Sequence, residues 1–220
     1  MDAVKTKGRL WMCWRAAIVS MFLIGAGAAT AVHAVEVTTY GAGLQSCGAY
    51  LDDREKQNAD EVAFIDWLSG YVSGVNATSI HTNNILGDSN LKAAVYRLGN
   101  YCRSHPLTTV AVALDVFLIT GSSTTARRAV EATIYGAGFK SCGTYLDARE
   151  KQNPDEVAFI DWLGGYLSGV NAMSLSTNNI LGSSDLTGAI YWLDDYCRAN
   201  PGTRFAVAVA ARVAPNRRDK

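Results

Sequence analysis

Apolar residues along this chain recur mainly at the three- and four-residue steps of an α-helix. The clearest such segment begins at Asp60 and runs to about Ala77. Its apolar positions share one helical face and are Val62, Ile65, Leu68, Tyr71, Val72 and Val75. We predict a long helix here that presents this face to a core. No part of the sequence alternates polar and apolar residues well enough to predict a β-strand.

Three shorter helices are predicted around this long one. The first follows a capping Ser46 and places Cys47, Tyr50, Leu51 and Arg54 on one stripe. The third begins near Ser89, with Leu91, Ala94, Val95, Leu98 and Cys102 facing inward. It stops before Pro106, which we expect to be the first residue of a fourth helix. The pattern therefore predicts a four-helix unit.

The unit occurs twice in the chain. Residues from Glu36 to about Leu118 reappear from Glu131 to about Val213 at a constant offset of 95 with no gap. The segment from Asp60 to Leu68 is repeated without change, and well over half of all aligned positions are identical. Such self-similarity is typical of an internal duplication.

The duplication and the helical pattern together predict an all-α protein with two tandem small four-helix domains. We place the first helical repeat at residues 35–120 and the second at 131–215. The polar, small-residue segment 121–130 has the composition of a linker, and residues 216–220 form a solvated tail.

The N-terminal residues 1–34 have the plan of a signal peptide. Four basic residues up to Arg15 precede an apolar run from Ala16 to Val32, and the small residue Ala34 suits a cleavage site. The run also has about the minimum length for a membrane span, so an uncleaved anchor is the alternative. We expect cleavage after Ala34, a periplasmic or secreted mature protein, and no stable membrane anchor.

The charge of the chain gives no sign of a binding surface for anions. The whole chain has 20 Lys and Arg against 20 Asp and Glu, and the chain after Ala34 carries a net charge near −3. The paired arginines Arg127-Arg128 and Arg217-Arg218 are too few for a basic patch. We therefore predict no binding to nucleic acid or to an anionic membrane.

Each repeat has two cysteines with the same 55-residue separation, Cys47 and Cys102 in the first and Cys142 and Cys197 in the second. In an exported chain we expect disulfides, and pairing within each repeat would stabilise a small domain by about 3 to 4 kcal/mol. Spacing alone leaves pairing across the repeats open. A four-thiolate zinc site is a weaker option because the closely spaced cysteine pairs of such sites are missing.

Two motifs in the long helix recur in both repeats. The Gly-Tyr-x-x-Gly motif consists of Gly70, Tyr71 and Gly74, and of Gly165, Tyr166 and Gly169. Two glycines four apart allow close helix approach, either inside one repeat or at a contact face between the repeats or with a partner. The pairs Asp66-Trp67 and Asp161-Trp162 predict a buried polar contact or a recognition site.

Residues for catalysis are poorly matched between the repeats. Outside the signal peptide, the histidines are His81 and His105, and Ser176 and Asn200 replace them in the second repeat. Since a general base or metal ligand needs such a group, we predict no catalytic site, no metal site and no cofactor. The segment Tyr40-Gly-Ala-Gly43 lacks the third glycine and the strand of a dinucleotide-binding loop. The paired asparagines, Asn83-Asn84 and Asn178-Asn179, suit a turn or cap better than a ligand.

One repeat resembles two groups of small periplasmic helical proteins. The resemblance rests on Cys47-x-x-Tyr50-Leu51, on the Gly-Tyr-x-x-Gly helix, and on Tyr101-Cys102-Arg103-x-x-Pro106. The groups are the acid-stress chaperones of the HdeA type and the Rap/Tai immunity proteins of type VI secretion, which block peptidoglycan amidases. The resemblance implies a disulfide between helices and structural roles for these residues. Both groups act as single-domain chains that dimerise, which suggests that the tandem repeats pack as a covalent pseudo-dimer.

The leading functional prediction is a non-catalytic exported protein whose partner is another protein, with an immunity or inhibitor role as its most specific form. An acid-triggered chaperone is the alternative. An enzyme is the third option, and Asp66 and Asp161 are the residues it would use.

Overall fold

A computed structural model describes residues 37–79, 82–118 and 132–214. The predicted signal peptide, linker and tail lie outside these residues, as does His81. The described part is all-helical. Its α-helices are α1 (Cys47–Lys56), α2 (Ala59–Thr78), α3 (Leu91–Ser104), α4 (Val110–Leu118), α5 (Cys142–Lys151), α6 (Pro154–Met173), α7 (Leu186–Ala199) and α8 (Phe205–Val213). A short 3₁₀ helix precedes each set of four, at Gly41–Leu44 and Gly136–Phe139. We call residues 37–118 the first copy and residues 132–214 the second copy.

The ends of the helices follow from local sequence. The Ser46 side chain accepts a hydrogen bond from the amide of Ala49 at the start of α1, and Gln57 ends that helix in a left-handed conformation. The side chain of Asn90 caps α3 in the same way. These contacts recur at Ser141, Gln152 and Asp185 in the second copy. Helices α1 and α3 therefore begin and end close to their predicted bounds.

The fourth helix begins later than predicted. Pro106 is not its first residue, because α4 starts at Val110. The Pro106 carbonyl accepts a hydrogen bond from the amide of Gly48, and the Thr108 carbonyl accepts one from Cys47. Residues 106–109 therefore form a turn and an isolated bridge that satisfy free amide groups at the start of α1.

The prediction of one apolar face on α2 is wrong in its geometry. Val62 is 57% exposed, whereas every residue from Trp67 to Asn76 is buried. A helix buried on all sides has contacts on all sides, and α2 packs on its own copy and on α6 of the other. Helix α6 is buried in the same way.

Two disulfides close the copies, Cys47–Cys102 and Cys142–Cys197, each between the first and third helix of its copy. Each copy has its own cluster of buried apolar side chains around its cystine. The described residues of the two copies nevertheless form one compact unit. Among the described residues, no helix is long and apolar enough to cross a membrane, and β-structure is limited to two isolated bridges.

Candidate functional sites

The Gly-Tyr-x-x-Gly motifs lie where α2 and α6 cross. A methyl group added to Gly70 would overlap the backbone carbonyl of Trp162, and one added to Gly165 would overlap that of Trp67. Gly74 and Gly169 face the carbonyl groups of Tyr166 and Tyr71 in the same way. The glycines therefore let the two helix backbones touch, and the surface they form joins the two copies.

The segment before each 3₁₀ helix crosses to the other copy. The backbone amide of Tyr40 donates to Ser168 Oγ at 2.9 Å, and the Tyr40 hydroxyl donates to Asn179 Oδ1 at 2.7 Å. The side chain of Asn171 donates to the Thr38 carbonyl at 2.7 Å. The second copy returns the same contacts, from Tyr135 to Ser73 and Asn84 and from Asn76 to Thr133. The paired asparagines of each copy thus form hydrogen bonds with the chain of the neighbouring copy.

The tryptophans of the two Asp-Trp pairs lie in the core. Trp67 and Trp162 are fully buried, and each indole donates to a backbone carbonyl of its own copy, that of Tyr40 at 2.6 Å and that of Tyr135 at 2.7 Å. In this conformation neither ring can contact a partner, so the recognition role does not fit them. The contact they make is the buried polar one.

Asp66 lies beside the second copy and is partly buried. Burial raises the pKa of Asp66 to about 6, while the charge of Lys140 lowers that pKa and the charge of Asp155 raises it further. Lys140 and Asp155 themselves form an ion pair at 3.8 Å. Asp161, the matching residue on α6, is also partly buried. Asp66 therefore titrates near neutral pH at the boundary between the copies.

A tyrosine–aspartate contact is specific to the first copy. The hydroxyl of the buried Tyr71 donates to Asp115 Oδ1. Burial raises the pKa of both groups, while the hydrogen bond from Tyr71 lowers that of Asp115. The equivalent of Asp115 is Ala210, so the second copy lacks this pair.

A polar network is specific to the second copy. The Asp194 carboxylate accepts from the Tyr145 hydroxyl at 2.6 Å and from Arg149 at 2.9 and 3.2 Å. Arg149 also pairs with Glu156 at 2.5 Å. Burial acts to raise the pKa of Asp194, but the hydrogen bonds from Arg149 and Tyr145 outweigh it and hold that pKa below its usual value. The network ties α5 to both α6 and α7.

Gly99 replaces Asp194 in the first copy, and the arginine there is held differently. Arg54 lies 3.3 Å from the Tyr50 hydroxyl, 3.5 Å from the Val95 carbonyl and 3.8 Å from Glu61. One of its terminal nitrogens occupies the space that a side chain at position 99 would fill. The two copies therefore share the arginine, but the aspartate that pairs with it in the second copy is missing from the first.

Exposed apolar side chains recur at matching positions in the two copies. Four pairs lie 95 residues apart: Leu44 and Phe139, Val62 and Val157, Tyr96 and Tyr191, and Val112 and Val207. Leu44 and Val112 line one groove of about 640 Å³. We call Leu44 and Val112 the first apolar patch, and their counterparts Phe139 and Val207 the second apolar patch.

The other histidine, His105, stacks on Tyr101 and is exposed. No group of three or more His, Cys, Asp or Glu side chains within the described ranges could hold a metal ion. No protein-family model, no curated protein and no solved structure matches this chain.

The sequence pattern did not reveal the Arg149–Asp194 network or the apolar patches. Asp194 lies 45 residues from Arg149, and its first-copy counterpart is a glycine, so the repeat gave no signal. The patches could have been found by asking which apolar positions fall outside the predicted helices in both copies, as Leu44 and Phe139 do.

Proposed function

We propose that this is a non-catalytic, exported protein that binds another protein, and that its most specific role is that of an inhibitor or immunity protein of the Rap/Tai kind. The observation that carries the proposal is the recurrence of exposed apolar residues in both copies. Exposed apolar side chains that form patches are typical of protein-binding surfaces.

Divergence elsewhere on the surface strengthens this argument. Most exposed positions between Asp88 and Leu107 have changed, with His105 replaced by asparagine and Leu107 by glycine. At the patches, Leu44 has become Phe139 and remained apolar, and Val112 has been kept as Val207. Retention of apolar character in water favours a contact that both copies make.

Two disulfides support an oxidising compartment, where such bonds persist. Export through the predicted signal peptide is part of the proposal. The first copy and the second copy would then present two similar surfaces to partners outside the cytoplasm.

The test uses the mature chain as bait for proteins of the compartment to which it is exported. Three baits are compared: the native chain, a Val112→Asp/Val207→Asp variant, and a Leu107→Asp control. Leu107 is 94% exposed but is not repeated in the second copy. A partner held by the native chain and the control but lost by the patch variant supports the proposal. If every captured protein is held equally by all three baits, the patches are not the binding surface.

The alternative is an acid-triggered chaperone, and two carboxyl groups act on the acid response in opposite directions. The raised pKa of Asp66 stabilises the fold as the pH falls, whereas the lowered pKa of Asp194 means that its stabilising contribution is lost in acid. Suppression of client aggregation near pH 2 to 3 is the activity to measure for that alternative.

A further inference from the structure

The two copies provide an internal comparison at one pocket. In the first copy the pocket lies between α1 and α3, has a volume of about 290 Å³, and is lined by Leu51, Arg54, Glu55, Tyr96 and Arg103. The second copy has the matching pocket between α5 and α7, with a volume of about 250 Å³. Both contain two arginines, Arg54 and Arg103 in one and Arg149 and Arg198 in the other.

In the second copy each arginine has an aspartate from α7. Asp194 pairs with Arg149, and Asp195 pairs with Arg198 at 2.9 Å. In the first copy both aspartates are replaced, by Gly99 and Asn100, while both arginines are kept. The glutamates near the pockets are the same in the two copies, Glu55 and Glu61 against Glu150 and Glu156. The first pocket therefore keeps both arginines without the two aspartates that pair with them in the second copy.

The rest of α3 is also more basic than the matching part of α7. Helix α3 carries Lys92, Arg97 and Arg103 and no acid, whereas α7 carries Asp194, Asp195 and Arg198. Arg97 stands where the second copy has Trp192. Helix α3 is therefore more basic than α7, which favours an approaching anion at the first pocket over the second.

The contacts of Arg54 show what the pocket lacks. The corresponding Arg149 makes bonds of 2.5 to 3.2 Å to two carboxylates, whereas the nearest polar atoms to Arg54 lie at 3.3 to 3.8 Å. A planar guanidinium group that is about a third exposed binds a carboxylate through paired hydrogen bonds more strongly than it binds a hydroxyl or a carbonyl. The Tyr50 hydroxyl accepts from Arg54 and donates to the Val95 carbonyl at 3.3 Å, whereas the Tyr145 hydroxyl donates to the Asp194 carboxylate.

We propose that this pocket of the first copy binds a carboxylate group from outside, which pairs with Arg54 as the Asp194 carboxylate pairs with Arg149 in the second copy. The carboxylate accepts from Arg54, and Arg103 lies at the same pocket. Free small carboxylates and the carboxylate of a protein segment share this chemistry. The site is separate from both apolar patches, so the two proposals can fail independently.

Binding is measured on the full mature chain by following the side-chain N–H resonances of Arg54 and Arg149 during titration with sodium acetate. Sodium chloride at the same ionic strength is the control. We expect a saturable shift at Arg54 with a dissociation constant in the millimolar range, because one solvent-accessible ion pair is weak, and no saturable shift at Arg149.

Two matched variants exchange the pockets. Gly99→Asp gives the first copy its own carboxylate and should abolish the Arg54 response. Asp194→Gly removes it from the second copy and should create a saturable response at Arg149. A chloride response equal to that of acetate, an unchanged response in Gly99→Asp, or no saturation at Arg54 would each overturn the proposal. Asp194→Gly provides an independent test if Gly99→Asp does not fold.

The source of the carboxylate is distinguished by two further probes. One is acetyl-Ala-Asp-Ala-amide, which presents a side-chain carboxylate, and the other is acetyl-Ala-Ala-Ala, which presents a chain terminus. Binding of either peptide at least tenfold tighter than acetate assigns the site to a protein segment of that kind. Equal binding of all three assigns it to free small carboxylates.

Discussion

At the scale of single residues, Asp66 makes the free energy of unfolding depend on pH. Its pKa of about 6 means that the folded chain holds a proton on this group which the unfolded chain releases above its ordinary pKa near 4. The free energy of unfolding should therefore rise as the pH falls from 7 through 6, and this contribution is complete near pH 4.

We predict that Asp66→Asn is more stable than the native chain at pH 7 and about equal to it at pH 4.5. The asparagine reproduces the neutral acid and cannot titrate. Urea unfolding at the two pH values measures the difference, with Asp52→Asn on the exposed surface of α1 as the control. A native chain whose stability does not change between pH 7 and 4.5 relative to the variant would contradict this role for Asp66.

Asp194 should act in the opposite direction. Its pKa is held low in the fold, so its contribution is present above the ordinary pKa of an aspartate and is lost as the pH falls through the lower folded value. Asp194→Asn leaves Arg149 and Tyr145 without their carboxylate, and we expect a loss of about 2 to 3 kcal/mol of unfolding free energy at pH 7.

The control for this prediction is Asp195→Asn, because the Asp195–Arg198 pair is exposed and should contribute less than about 1 kcal/mol. Urea unfolding at pH 7 measures both variants. Equal losses in the two would mean that the buried network contributes no more than a surface ion pair.

Not every one of these residue roles follows from the sequence. The repeat reveals what both copies keep, which is why the cysteines, the glycines and the Asp-Trp pairs were singled out. Asp115 and Asp194 each occur in one copy and contact residues 44 and 49 positions away. A contact of that kind depends on how α5 and α7, or α2 and α4, pack, and no local pattern specifies it.

At the scale of helices, caps were easier to predict than faces. Ser46 and Ser141 cap α1 and α5. The side-chain oxygen of each accepts a hydrogen bond from a backbone N–H three residues later, which is a local contact. The start of α4 was misplaced because residues 106–109 pair with the start of α1, 60 residues earlier in the chain. The face of α2 was misplaced because a second helix, far along the chain, covers the side that the pattern assigned to solvent.

The crossing of α2 and α6 gives the next prediction. Gly70→Ala and Gly165→Ala each place a methyl group against a backbone carbonyl that cannot turn away. Overpacking against backbone should exceed the gain in helix propensity of about 1 kcal/mol, so we expect each variant to lose about 2 to 3 kcal/mol net.

Thermal or urea unfolding of the full chain measures this loss. Gly202→Ala is the matched control, because a methyl group there meets no atom within 4 Å and its backbone is not left-handed. Variants at Gly70 and Gly165 that unfold like the control would mean that the helices are not in backbone contact.

At the scale of the whole molecule, the two copies contact each other through residues that the duplication left unchanged. The glycines, Trp67, Tyr71, Ser73 and Asn76 of α2 all have identical counterparts on α6. Thr38, Tyr40, Asn83 and Asn84 are likewise matched by Thr133, Tyr135, Asn178 and Asn179. The contacts that these residues make from the first copy to the second are returned from the second to the first, which is the property of a two-fold interface.

An interface between identical residues can also form between two separate chains. We predict that the first copy expressed alone, as residues 35–118, is a homodimer in which α2 crosses α2 of the partner chain. As a monomer it would expose the surface that α6 covers, including the backbone carbonyls of Trp67 and Tyr71. That exposure is unfavourable because the surface is largely apolar and contains hydrogen-bond donors and acceptors that lose their partners.

Sedimentation equilibrium of the isolated copy distinguishes the two states by mass. Gly70→Leu in the same fragment should prevent dimerisation, because the larger side chain blocks the crossing on both sides of the two-fold axis. A mixture of the separate first and second copies should form heterodimers as well, since both present the same contacting residues. A folded monomer of residues 35–118 would show that each copy is stable without the crossing, and that the pairing of the copies is a consequence of their linkage alone.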